Sequence, residues 1–564
     1  YEERLKDNIV GFTALLSPWS YQDGGSAQGI GYWLSTPSPQ HEFMMVLAMS
    51  NVHNMFLSAW ERNMPNFQLY AYPHGSWGSF GDGGMVYKAN NYFIAPLAIN
   101  SYFTKNPMAK WLQNQFGPVY LGTGQDINEI DLFIASLSSE VKPKEPTDYP
   151  LAREIKDQGL VVMTDSLVNP DRIQLSFHSS QYGSYNHSNA DQNAFYIQAY
   201  GEKLAVKGGY YDTFLSAQHA GFARTSPAHN TVTVATSKGQ KDGSILAKGK
   251  IINFINQADF DLATGDATPA YAGNLDKFER HIVYIRPDTF VVIDDLDAKG
   301  DEKSSFEWWL NAESDISLYE DSNGARLKEG AAVLDASVKY PKNVNKYYNN
   351  IHAASDMRKY TPEGAFAQKN VQRRVWFETE KVDKTKMIVT MDIHRDTEAA
   401  QNVDTVYYDK YMKMTFEDGT VMLVNLSSDD EEIVTDNISF VGDAVVYNDE
   451  SVMLVSGTEL SMYGSEIIKA KNKLSVALGK NELCLSTEEE ENVVFISEEN
   501  DYVKGLDDIK TYDGYEIGKA WGIECKESPE PEDEYLNFDK SKCFAVSNGR
   551  YTLFLNGKQK ETEE

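Results

Sequence analysis

Tyr185-Asn186-His187-Ser188-Asn189-Ala190-Asp191-Gln192-Asn193-Ala194-Phe195 is the stretch on which the reading of this chain turns. It follows Ile173-Gln174-Leu175-Ser176-Phe177 and runs into Phe195-Tyr196-Ile197-Gln198-Ala199-Tyr200. Two alternating apolar runs predict neighbouring β-strands. Between them stand an imidazole, several carboxamides and a carboxylate. A hairpin turn needs Gly, Asn or Asp, but it does not need a histidine flanked by amides. The segment therefore reads as chemistry carried on a sheet edge.

Upstream, residues 1–150 read as helical. Phe43 to Trp60, with Met55, Phe56 and Leu57 in helix-like spacing, predicts one helix that carries Asn51, His53 and Asn54. Tyr92 to Phe116 predicts a second. Gly-rich loops, Asp23–Gly31 and Gly75–Gly84, lie between helices. Pro143, Pro146 and Pro150 block both helix and central strand, so this stretch reads as a linker. Downstream, Leu160–Met163, Thr231–Val234, Ile251–Ile255, His281–Ile285 and Phe290–Ile293 predict a large antiparallel assembly over 151–425. Ala444–Tyr447, Val452–Val455 and Tyr551–Leu555 predict an accessory β domain over 426–564. The fold class expected is α+β and multidomain.

A chain of 564 residues implies about two to four domains. With 52 basic against 83 acidic residues, the net charge of −31 argues against nucleic acid and anionic membranes as partners. It does not forbid an acidic substrate, because surface charge is screened within ~8–10 Å at physiological salt. The acid is also concentrated late, in Ser427–Glu432, Thr487–Glu491 and Ser528–Glu534. The high content of Tyr and Trp, 33 and 9 residues, suits both sheets and sugar-stacking surfaces. Cys484, Cys525 and Cys543 match no metal spacing. No apolar run approaches the ~20 residues of a membrane span. Tyr1 is not an initiator Met, so a processed or partial chain is expected.

The opening segment resembles the H-x-H-A-D-x-N-x-F signature of the heparinase II/III-like polysaccharide lyases, with Asn189 in place of the second His. Three further segments carry the resemblance, in family order. Asp23-Gly24 through Gly31-Tyr32-Trp33 is similar to the loop ending in the family's catalytic tyrosine. Ala228-His229-Asn230-Thr231-Val232 is similar to its A-H-N-T-V strand. Phe278-Glu279-Arg280 through Pro287-Asp288 to Asp294-Asp295 is similar to its paired strands. Residues after 430 are not covered. The resemblance implies an (α/α) toroid, partial in this chain, followed by antiparallel β-sheet and β-sandwich domains.

It also implies β-elimination on a uronic-acid polysaccharide. That chemistry needs a donor for the C5 carboxylate, a base for the C5 proton and an acid for the leaving oxygen. By resemblance Tyr32 is the acid, or acid and base both, and His187 its partner; Tyr21, in the same loop, is a rival. The family's carboxylate neutraliser lies on a helix before this chain begins, so a second chain or segment is expected to complete the toroid. Asn51, His53 and Asn54 are possible stand-ins. Arg224 could clamp a carboxylate bidentately. His74 and Trp77 could form a stacking wall. Asn186, Asn189 and His229 complete the candidate substrate-binding set.

The family often holds a structural zinc at positions that here read Asn189, Lys207 and His229. Losing a His and an Asp and gaining a cation argues against the metal. No cofactor is expected; the Lys207 ammonium is expected to replace the metal's charge and brace Asn189 and His229. Alginate is favoured over sulfated polymers because the motif regions lack a dense Lys/Arg cluster. A secreted or cell-surface bacterial enzyme is expected. The alternatives are a glycoside hydrolase, which needs a paired acid and base for which Asp82 and Asp191 are candidates although the Tyr and His loops carry no such pair, or a non-catalytic carbohydrate-binding protein.

Overall fold

The computed structural model describes residues 2–16, 22–26, 29, 37–71, 80–82, 91–117, 129–208, 216, 219–271, 273–300, 303–313, 315–349, 372–479, 482–490, 492–497, 510–511, 543–546 and 549–554. Helices come first, at Glu2–Leu16, Pro37–Met49, Ala59–Ala71, Asn91–Thr104, Pro107–Phe116 and Glu129–Ser138. None of the described helices is long and apolar enough to cross a membrane.

Two expected helices are each broken by local chemistry. The Phe43–Trp60 stretch stops at Met49, where Asn51 takes a left-handed φ of 53°. Asn54 then caps a 3-10 turn at Met55–Leu57 through Phe56 N–H. Asn51, His53 and Asn54 consequently lie on an exposed connector and not on a helix. The Tyr92–Phe116 stretch breaks at Lys105, whose φ is 55°, and Asn106 caps the following helix with bonds from Met108 and Ala109 N–H. Asn at an N-cap satisfies donors that a continuous helix would have used internally. The helices pack on one another, but a toroid is not evident among the described residues.

Thirty strands follow among the described residues. Strands β1 (Ala152–Ile155), β2 (Leu160–Thr164), β3 (Gln174–His178), β4 (Ala194–Ala199) and β5 (Glu202–Lys203) form an antiparallel meander. This sheet is buried on both faces. Leu160, Val162, Ala194 and Tyr196 pack against Trp60, Phe67, Tyr70 and Leu112 of the helices. Val161, Phe177, Phe195 and Ile197 point the other way, into the main core. A strand with period 2 and two apolar neighbours buries side chains on both of its faces.

An eight-stranded antiparallel sheet includes β7 (Lys250–Asn256), β8 (Phe260–Asp266), β9 (Leu275–Ile285) and β10 (Thr289–Ala298). A four-stranded sheet joins β6 (Val232–Val234) with Phe306–Ala312, Arg373–Thr379 and Val344–Asn349. Both contribute to the same core, through Phe278, Ile282 and Val292 and through Val232, Trp308 and Phe377. The opposite face of the eight-stranded sheet, with Ile255, Val283 and Ile293, packs on Met412, Met422 and Met453 of a thirteen-stranded sheet spanning residues 404–554.

Arg280 ties distant segments into one frame. Its guanidinium holds Asp294 bidentately, Nε to Oδ1 at 2.5 Å and a terminal nitrogen to Oδ2 at 2.8 Å. Its other terminal nitrogen donates to the carbonyls of Asn193 at 2.7 Å and Asn230 at 2.9 Å. All four residues are fully or almost fully buried. The planar fork thus fixes the end of the His187 segment against two other strands.

Candidate active site

The helical part and the sheets meet at a Gly-rich loop. Gly24 has a φ of 78° and lies so close to Met64 N that a side chain would collide with the Ala59–Ala71 helix. Trp60 Nε1 donates to Gly25 O at 3.0 Å, and Asp23 receives Gln158 N–H at 3.1 Å from the β1–β2 turn. Gly29 forms a bridge with Gly81. The loop carrying Asp23 and the loop carrying Asp82 are thereby held side by side. Tyr21, Tyr32, His74 and Trp77 lie outside the described residues.

Asp82 is the hub. One carboxylate oxygen receives His187 Nδ1 at 3.0 Å, and the other receives His219 Nε2 at 3.1 Å. Asp82 N–H donates to His187 O at 2.7 Å. Burial alone would raise the Asp82 carboxyl, but the bonds from His219 and His187 and the nearby Lys207 charge hold it below its ordinary range. An ionised Asp82 only accepts, so both rings donate to it. Donation from His187 Nδ1 leaves Nε2 as the nitrogen that carries a lone pair in the neutral ring. The His187 side chain is 18% exposed while Asp82 and His219 are buried, so His187 is the member of the trio that reaches solvent. His219 begins a π-turn, His219–Ala223, and was not singled out by sequence. A lone histidine between Gln218 and Ala220 carries no signal until the fold brings Asp82 to it.

Behind His187 lies a buried polar layer. Lys207 donates to Gly81 O at 2.5 Å and is 2% exposed. Burial brings its ammonium down to about 8, opposed by Asp82 and Asp191. It makes no bond to Asn189 or His229, so the expected brace is replaced by a clamp on the Asp82 loop. The reason is reach: the Gly81 carbonyl supplies the acceptor. Asp191 lies 3.3 Å from His178 Nδ1 and receives Tyr196 OH at 3.4 Å. The His178 ring stacks on Phe80 at 4.6 Å. Tyr196 OH also meets His229 Nδ1 at 2.9 Å. Burial lowers the His229 ring to about 4. Asn189 and His229 are buried, at 1% and 0% exposure, within this layer and away from any substrate surface. Asn186 is half-buried on the connection, with a φ of 59°.

Arg224 is also structural. Its guanidinium is 4% exposed, donates to Ser184 O at 2.7 Å and Ser188 O at 3.1 Å, and pairs with Asp242 at 3.0 Å. The expectation that it clamps a substrate carboxylate is overturned, because its donors already hold the backbone on both sides of His187. Among the described residues, the acidic and imidazole groups close enough to share a metal ion are Asp335, Asp392 and His394. Asp335 is already held bidentately by Arg326 and by His394 Nε2 at 3.0 Å.

Residues 149–395 match the family described as Heparinase II/III-like, C-terminal. The fold is similar to that of heparan sulfate lyase HepC from Pedobacter heparinus, in a mutant form, with a TM-score of 0.56 and 12% identity over 75% of this chain and 62% of that one. It is also similar to a heparinase III with methylated lysines, with a TM-score of 0.54 and 13% identity over 84% of this chain and 60% of that one. The chain thus spans about three-fifths of the length of these solved structures. No curated protein sequence matches it. The matched segment, which holds His187, Asp191, Arg280 and Asp294, is a heparinase II/III-like C-terminal domain.

Proposed function

We propose that this chain belongs to a polysaccharide lyase that cleaves a uronic-acid polysaccharide, alginate by preference, by β-elimination. The observation that carries the reading is the Asp82–His187 pair: a partly exposed imidazole whose tautomer is set by a buried carboxylate. In such a reaction the C5–H and C4–O bonds break and a C4=C5 double bond forms. His187 Nε2 is suited to exchange a proton with the sugar, with Tyr32 or Tyr21 protonating the leaving oxygen. Alginate is favoured because the basic groups nearest the trio, Lys207 and Arg224, are committed to protein oxygens and are not spare for sulfates. A hydrolase is disfavoured for a parallel reason: Asp82 is bound by two histidines and Asp191 is fully buried, so neither is an available acid or base.

Zinc does not fit the family position here. The donors would be one imidazole nitrogen, His229 Nε2, and one amide oxygen, Asn189 Oδ1, both buried without a hydrogen-bond partner, beside the Lys207 cation. Structural zinc needs four good donors. The reading includes no cofactor, a secreted or cell-surface bacterial setting, and a further segment or chain completing the helical part. The test is ultraviolet absorbance with alginate, hyaluronan, chondroitin and heparin, for the parent and its His187→Ala, Tyr32→Phe and Tyr21→Phe variants. A rise lost in His187→Ala and in one Tyr variant supports the reading; saturated reducing ends would replace it with hydrolysis.

A further inference from the structure

The four-stranded sheet has a face that the core does not use. Trp308, Val375 and Phe377 point into the core. Their neighbours point away, and antiparallel register sets them side by side. Trp309 opposes Trp376, and Trp376 opposes Tyr347. The three rings stack across three strands, with centroids 4.6 and 4.9 Å apart and planes within 25° and 14°. Trp309 is buried, Trp376 half-buried and Tyr347 38% exposed, so the ladder climbs from the core to solvent.

Arg374 lies two residues before Trp376, on the same face. Its guanidinium carbon is 5.0 Å from the Trp309 ring and 5.2 Å from that of Phe222. Its Nε is buried without a hydrogen-bond partner, and among the described residues no carboxylate pairs with it. This is unlike Arg280, Arg224 and Arg286, each of which holds an aspartate. Glu307, the carboxylate that most affects it, is occupied by Thr233 Oγ1 and Ser237 N–H. A half-buried guanidinium that no carboxylate of the described residues pairs with, in a chain of net charge −31, is suited to take an anion. Phe222 belongs to the His219–Ala223 turn, whose first residue bonds the Asp82 carboxylate that also holds His187. The ladder is therefore continuous with the candidate active site.

We propose that Arg374, Trp376 and Tyr347 form a subsite for an acidic sugar of the polymer. The sugar carboxylate accepts from Arg374, and the ring lies on the aromatic ladder. The inference rests on the reading of the chain as acting on a uronic-acid polysaccharide, and it adds a place where that polymer is held beyond the reacting centre.

The experiment measures binding by titration calorimetry on the full chain in a His187→Ala background, so that no substrate is consumed. The probes are polymannuronate and its carboxyl-reduced, uncharged form. Arg374→Gln should weaken polymannuronate binding by about tenfold and bring the two polymers close to equal affinity, while Trp376→Ala weakens both by about tenfold. If Trp376→Ala does not fold, Tyr347→Ala at the exposed end of the ladder takes its place. Variants that fold and bind both polymers as tightly as the background protein overturn the subsite, as does Arg374→Gln weakening both polymers equally. Absorbance of the parent on polymannuronate is read in parallel. Turnover with unchanged binding in the variants removes the subsite and keeps the lyase reading. Variant-sensitive binding without turnover keeps the subsite and removes that reading, and no binding at all removes both.

Discussion

Asp82 and His187 hold each other twice, across 105 residues: the ring Nδ1 meets Oδ2 at 3.0 Å, and Asp82 N–H meets His187 O at 2.7 Å. The first contact sets the tautomer and the second fixes the backbone that carries the ring. His219 on the other carboxylate oxygen keeps Asp82 from turning away. The Gly-rich loop of the helical part is therefore as much a component of the site as the sheet edge.

Asp82→Asn should lower turnover on a uronan by about a hundredfold with little change in KM, because an amide no longer enforces donation from His187 Nδ1. The measurement is steady-state absorbance with a parallel melting curve. A folded variant with undiminished turnover would show that Asp82 does not orient the ring.

Lys207 gives a pH signature in alkali. Its folded value of about 8 lies below the ordinary 10.5. Between those values the unfolded chain binds the proton that the folded chain has shed, so this group's contribution rises with pH and is lost as pH falls through about 8. The stability difference between the parent and Lys207→Met should shift in the parent's favour from pH 8 to 10. Urea titrations at three pH values check it; parallel curves would contradict it.

His229 acts in the acid range. Burial holds it at about 4, below its ordinary 6.5. Its contribution is complete above 6.5 and is lost as pH falls toward 4, because the unfolded chain takes up the proton first. His229→Gln should therefore lose less stability than the parent between pH 7 and 4.5, measured by urea midpoints. Equal losses would place the acid sensitivity elsewhere.

Arg280→Ala should destabilise by about 3–5 kcal/mol, because Asp294 is left as an uncompensated buried charge. It should also loosen Asn193 and Asn230, whose carbonyls lose their donor. Denaturation gives the first effect, and hydrogen exchange at residues 190–195 and 228–232 gives the second. A loss within the range of a surface substitution would show that the pair is not central to the frame.

Much of this protein was legible in its sequence because the signals are local. Alternation predicted the strands on either side of the His187 segment, and β3 and β4 do pair antiparallel. The Arg280–Asp294 segment similarly predicted β9 and β10. Strand period and turn chemistry act over a few residues, so they can be read without the fold. The helix breaks at Asn51 and Lys105 were missed because apolar spacing continues through a turn when both flanking helices bury the same core. What only the tertiary structure decided is charge partnership. Arg224 looked like a substrate clamp and is spent on the carbonyls of Ser184 and Ser188; Lys207 looked like a brace for Asn189 and His229 and instead holds Gly81. Asp82 was visible only as a candidate hydrolase carboxylate, and His219 not at all, until the fold placed them on one hub. Hydrogen bonds and ion pairs depend on ångström distances between segments 36 to 137 residues apart, and neither composition nor spacing encodes those distances.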